Sequence, residues 1–79
     1  MIKNNLERIL KVLSLVFEIE IDQLNKNSSI NNIESWDSLN HIKLIIALEE
    51  EFNIDLTEEE IMEMDSLETI INTLDTKIK

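Results

Sequence analysis

The chain has 79 residues and contains no Cys, Gly or Pro, so it offers no disulfide or thiolate metal site and lacks the residues that build tight turns between strands. Stability must come from one small apolar core, and the expected fold is all-α, a single domain over residues 1–79. With 17 acidic residues against 7 basic ones the formal charge is -10, which repels nucleic-acid phosphates and draws basic patches on partner proteins.

Leu6, Ile9, Leu10, Leu13, Val16 and Phe17 recur at helical three-four spacing and predict a first helix over about residues 3–17. Residues 18–37 are rich in Asn, Ser and Asp, whose side chains compete for backbone hydrogen bonds and favour turns. Within this long loop Ile19, Ile21, Leu24, Ile30 and Ile33 follow no steady period, as expected of an ordered loop plugged onto the core. Asp37 is placed to cap a second helix from Ser38 to about Phe52. On a helical wheel Leu44, Ile45, Leu48 and Phe52 share one side, while Leu39, Ile42 and Ile46 form a neighbouring patch. An apolar arc this wide has two readings: the second patch is exposed for a partner or ligand, or the helix is buried all round.

Ile54 and Leu56 then alternate with Asn53 and Asp55 in an extended connector. Thr57 and Glu60 have capping-box spacing and introduce a short helix through about Met62. Asp65 and Glu68 repeat that spacing before Leu67, Ile70, Ile71, Leu74 and Ile78, predicting a last helix. The expected architecture is a small bundle of three main helices and one short helix. No apolar stretch approaches the roughly 18 residues of a membrane span, so no membrane insertion is expected. The absence of Cys agrees with a reducing, cytoplasmic setting, and a monomer is expected.

Residues 36–56, beginning Trp36-Asp37-Ser38-Leu39 and ending Phe52-Asn53-Ile54-Asp55-Leu56, resemble the acyl carrier protein family. The long loop before them and the two helices after them extend the resemblance over nearly the whole chain. It implies that Ser38 is esterified by 4'-phosphopantetheine taken from coenzyme A, with Asp37 and Leu39 read by the phosphopantetheinyl transferase. Asp37 as a plain helix cap is an equally good reading, and the two are compatible. The resemblance further implies partners that load, condense and transfer acyl or aminoacyl groups. Leu39, Ile42 and Ile46 would meet them, flanked by Glu49 and Glu50 for basic surfaces. A helix N-terminus suits a phosphodiester, because unpaired N–H groups and the helix dipole attract an anion.

A second triplet, Asp65-Ser66-Leu67, also opens a helix, so the motif alone does not choose the serine. Only Ser38 follows the long polar loop and precedes the wide-faced helix; Ser66 is expected at a capping-box position. The chain also departs from the family pattern. Ser35 stands where many members have Gly, the stretch between Ile33 and Ser38 is one residue longer, Trp36 precedes the triplet, and Lys43 replaces an acid common in fatty-acid carriers. These departures suit a specialised pathway, although a surface Trp packed over the loop would equally account for Trp36.

No catalytic residue is expected. Ser38, His41 and Asp37 are neighbours on one helix and cannot form a relay of nucleophile, base and orienting acid, and no glycine-rich oxyanion loop exists. Glu49, Glu50 and Glu51, like Glu58, Glu59 and Glu60, lack the sharp Gly turn of a calcium loop, and no metal site is expected. The competing function is an unmodified acidic helical module that binds a protein.

Overall fold

A computed structural model describes residues 2–25 and 27–78, with the side chains of residues 2–4 and 78 left out, so the place of Ile78 in the apolar row lies outside the description. The helices are α1 (Ile2–Phe17), α2 (Ser38–Phe52), α3 (Glu58–Glu63) and α4 (Leu67–Ile78), and Ile21–Gln23 forms one 3-10 turn within the long loop. The all-α bundle of three main helices and one short helix is therefore observed.

The expected apolar stripe of α1 is the one that turns inward. Ile9, Leu13 and Phe17 are buried together with Val12, while Leu6, Leu10 and Val16 are half-buried. Against them pack Leu44, Ile45 and Leu48 of α2 and Leu67, Ile70 and Leu74 of α4. Leu56 carries the connector into the same core and Met64 closes it below α3. Both ends of α2 are defined without glycine: Asp37 caps the start, and Asn53 takes the left-handed conformation at the end, φ 55°. Asn tolerates that region better than most side chains.

The long loop is ordered, but by fewer apolar plugs than its sequence suggests. Leu24 and Trp36 are buried and Ile19 and Ile33 half-buried, whereas Ile21 and Ile30 stay exposed. Polar stitching replaces the missing plugs. The Ile30 N–H donates to the Asp65 carbonyl (3.0 Å), the Leu67 N–H donates to the Ser28 carbonyl (2.9 Å), and Ser29 pairs with Ser66 in an isolated antiparallel bridge. The middle of the loop is thereby sewn to the start of α4.

That stitching also corrects the cap of α4. Ser66 and Thr69, and not Asp65 and Glu68, form the reciprocal pair: the Thr69 N–H donates to Ser66 Oγ (3.2 Å) and the Ser66 N–H to Thr69 Oγ1 (3.1 Å). Asp65 is held in the loop bridge by its carbonyl, so the helix begins one residue later. Two ion pairs brace the outside. Arg8 Nε meets Glu51 Oε2 at 2.8 Å, joining α1 to α2, and Lys77 Nζ meets Glu60 Oε1 at 2.9 Å, joining α4 to α3.

Candidate functional site: the start of α2 and its exposed face

The turn before α2 is fixed by short-range hydrogen bonds. The Trp36 N–H donates to the Ile33 carbonyl at 3.0 Å, and the Asp37 N–H to the Ser35 carbonyl at 3.1 Å. The Asp37 carboxylate accepts the Asn40 N–H (2.8 Å), while the Asn40 side-chain amide reaches back to the Ser35 carbonyl (2.8 Å). Asp37 is thus the helix cap, and Ser38 follows as the first helical residue. Ser38 is exposed, and its hydroxyl enters no hydrogen bond among the described residues. The Ser38 and Leu39 N–H groups precede the first intrahelical bond and remain for an incoming anion. An exposed hydroxyl beside unpaired N–H groups fits a phosphodiester link, although the Asp37 carboxylate partly opposes the positive helix end.

Trp36 is the main surprise of the site. It is buried, not a surface ring over the loop, and its ring centroid lies 4.9 Å from that of Phe17. The indole N–H donates to His41 Nδ1 at 3.0 Å, and His41 Nε2 lies 3.0 Å from the Ile61 carbonyl of α3. An indole can only donate and a carbonyl can only accept, so the arrangement calls for the His41 tautomer that accepts at Nδ1 and donates from Nε2. Both ring nitrogens are therefore occupied by structural partners. His41 has none left with which to activate Ser38. Instead it ties the turn before α2 to α3.

The exposed face of α2 resolves the two readings of its wide apolar arc. Leu44, Ile45 and Leu48 are buried and Phe52 is half-buried, its ring under Arg8 at 4.4 Å. Leu39, Ile42 and Ile46 are 64%, 57% and 51% exposed and form an aliphatic strip beside Ser38. The two acids expected to flank the strip differ. Glu50 is exposed, but the Glu49 carboxylate turns inward and accepts the Leu56 N–H at 2.9 Å. Glu49 holds the connector and leaves Glu50 as the acid presented outward.

Sequence reading passed over Met62, which is 80% exposed on α3. The signal was available. A six-residue helix that points Ile61 inward cannot point the next side chain the same way.

A family model described as "Phosphopantetheine attachment site" matches residues 7–74. The acyl carrier protein of Buchnera aphidicola subsp. Schizaphis graminum is 32% identical over 77 residues, 96% of this chain and 98% of that protein. This chain belongs to the acyl carrier protein family. The acyl carrier protein of Buchnera aphidicola subsp. Acyrthosiphon pisum (strain 5A) is also 32% identical, over 95% of this chain and 94% of that one. Among solved structures, holo acyl carrier protein from Geobacter metallireducens superposes with a TM-score of 0.81 at 28% identity, covering 91% of this chain and 83% of that one. The role of this carrier is to bear acyl groups on covalently attached phosphopantetheine, and family members carry intermediates without transforming them. No helix among the described residues is long and apolar enough to cross a membrane.

Proposed function

We propose that Ser38 is the attachment residue and that the chain forms one phosphopantetheine-bearing domain serving enzymes that load, condense and transfer acyl or aminoacyl groups. The observation that carries the assignment is cap register. Ser38 stands just inside its helix with an exposed, unengaged hydroxyl, whereas Ser66 stands just outside its helix with its hydroxyl bound to Thr69. In the loading step a bond forms between Ser38 Oγ and phosphorus, the phosphoanhydride of coenzyme A breaks, and the nucleotide half leaves. The hydroxyl proton passes to a base of the phosphopantetheinyl transferase. The arm then supplies a thiol for thioester formation.

The residues of this chain present and orient. Asp37 fixes the first turn through Asn40 and, with Leu39, forms the edge that the transferase reads. Leu39, Ile42 and Ile46, with Glu50 beside them, form the face for basic, apolar partner surfaces. Glu49 serves that face through the connector it holds. Catalysis belongs to the partners, since His41 is engaged on both nitrogens. A cytoplasmic setting suits a free thiol, and a fatty-acid, polyketide or more specialised pathway would use the same arm.

The test is incubation with coenzyme A and a broad-specificity phosphopantetheinyl transferase, followed by intact mass. The wild type and Ser66→Ala should gain one phosphopantetheine and Ser38→Ala none. A wild type refused by several transferases would favour the unmodified interaction module. Labelling abolished by Ser66→Ala alone would move the site.

A further inference from the structure

The sequence of α2 contains one lysine or arginine, Lys43. It is exposed, one helical turn from Leu39 on one side and from Ile46 on the other, so it borders the aliphatic strip. Among the described residues it makes no ion pair, and neither does Lys11 on α1, whereas Arg8 and Lys77 are both paired. The acids nearest it in α2 have other duties: Glu49 holds the Leu56 N–H and Glu51 is paired with Arg8. Glu50 lies seven residues on, about 10 Å along the axis and on the same flank. The rim of the strip thus reads positive, then negative.

We infer that Lys43 discriminates among partners, fitting a protein surface with a carboxylate opposite Lys43 and a basic group about two helical turns away, around an apolar socket. The inference rests on α2 being the docking face. A uniformly basic surface would gain from Glu50 and lose at Lys43. Rim charges act mainly on the rate of encounter, and salt weakens the effect. The net charge brings basic partners near, and Lys43 sorts those that arrive.

The experiment measures kcat/KM for loading of Ser38 by a phosphopantetheinyl transferase with a basic docking surface, at about 20 mM and about 500 mM salt. The carriers are wild type, Lys43→Gln, Lys43→Glu and Lys11→Glu. Lys11→Glu makes the same charge change at an exposed position of α1. Lys43→Glu should be loaded about 3-fold faster or better at low salt, with Lys43→Gln between, and the gap should close at high salt. Lys11→Glu should stay near wild type. In the reciprocal cycle, changing the transferase cation that faces Lys43 to Glu should speed loading of wild type and slow loading of Lys43→Glu. Equal gains from Lys11→Glu and Lys43→Glu, or no gain from Lys43→Glu, would overturn the inference while leaving Ser38 in place. Failure to load wild type and Lys43→Glu alike would overturn the reading on which the inference rests.

Discussion

Asp37-Ser38-Leu39 and Asp65-Ser66-Leu67 open helices with the same three residues, yet the helix starts at the serine in one and at the leucine in the other. That one-residue difference reassigns every side chain. In the first triplet Asp37 is the cap, Ser38 is left exposed and Leu39 turns outward. In the second, Ser66 is the cap, bound reciprocally to Thr69, and Leu67 is buried at 3% exposure. A serine is available for modification when another residue has already taken over capping. The preceding residue differs in kind as well: Trp36 brings a polar N–H into the core, while Met64 brings none.

The largest separation between the triplets should appear in loading. Ser38→Ala should lose all phosphopantetheine yet keep its urea midpoint, with a stability change within about 0.5 kcal/mol. Ser66→Ala should load at the wild-type rate and lose about 1 kcal/mol, because a helix cap disappears. A stability loss for Ser38→Ala equal to that of Ser66→Ala would erase the distinction.

The leucines should separate in the opposite sense. Leu67→Ala removes a buried side chain and should cost about 2–5 kcal/mol in urea unfolding, whereas Leu39→Ala should cost no more than about 0.5 kcal/mol. Leu39→Ala should instead slow loading, since its exposed side chain belongs to the edge proposed for transferase contact. Comparable destabilisation of the two variants would mean that Leu39 is part of the core.

The residues ahead of the triplets sharpen the contrast further. Trp36→Phe preserves a ring against Phe17 but leaves His41 Nδ1 without its donor, at a cost of about 1–3 kcal/mol. Met64→Leu is a near-isosteric apolar exchange and should cost less than about 1.5 kcal/mol. Circular dichroism reads both, because Trp36→Phe removes the chain's one Trp. Nitrogen-15 chemical shifts of the His41 ring should report the Nε2–H form in the wild type. The opposite tautomer would break the link drawn from Trp36 through His41 to Ile61.

The helices were legible in the sequence because local chemistry sets them. Three-four spacing marks α1 and α4, Asp37 marks the start of α2, and Thr57 with Glu60 marks α3. The exposed strip was legible as a surplus, since a helix in so small a bundle cannot bury an arc that wide. What escaped depends on partners distant in sequence. Asp65 and Ser66 are both acceptable caps locally, and the choice is made by Ile30, some 35 positions away, bonding the Asp65 carbonyl. The acid at Glu49 looks like its neighbours until Leu56 presents an N–H to it. Trp36 reads as surface or core according to whether His41 can satisfy its indole, and that in turn requires α3 to arrive beside α2.

The smallest effect concerns the capping boxes of α3 and α4, of which Thr57–Glu60 contains an ionisable member and Ser66–Thr69 does not. The Thr57 N–H donates to Glu60 Oε1, and Lys77 lies beside the same oxygen. The backbone hydrogen bond first, and then Lys77, hold the Glu60 carboxyl below its ordinary value of 4.5. A pKa lowered by folding contributes stability that is fully present above the unfolded value and is lost as pH falls through the folded one. The contribution of this box should therefore be intact at neutral pH and fade below about pH 4.5. Glu60→Gln should destabilise at pH 7 and progressively less toward pH 3, so its urea-midpoint profile should converge on that of the wild type. Ser66→Ala removes an uncharged cap, and its profile should run parallel to wild type throughout. If the Glu60→Gln profile also runs parallel, the carboxylate contributes nothing beyond its shape, and the two boxes are equivalent.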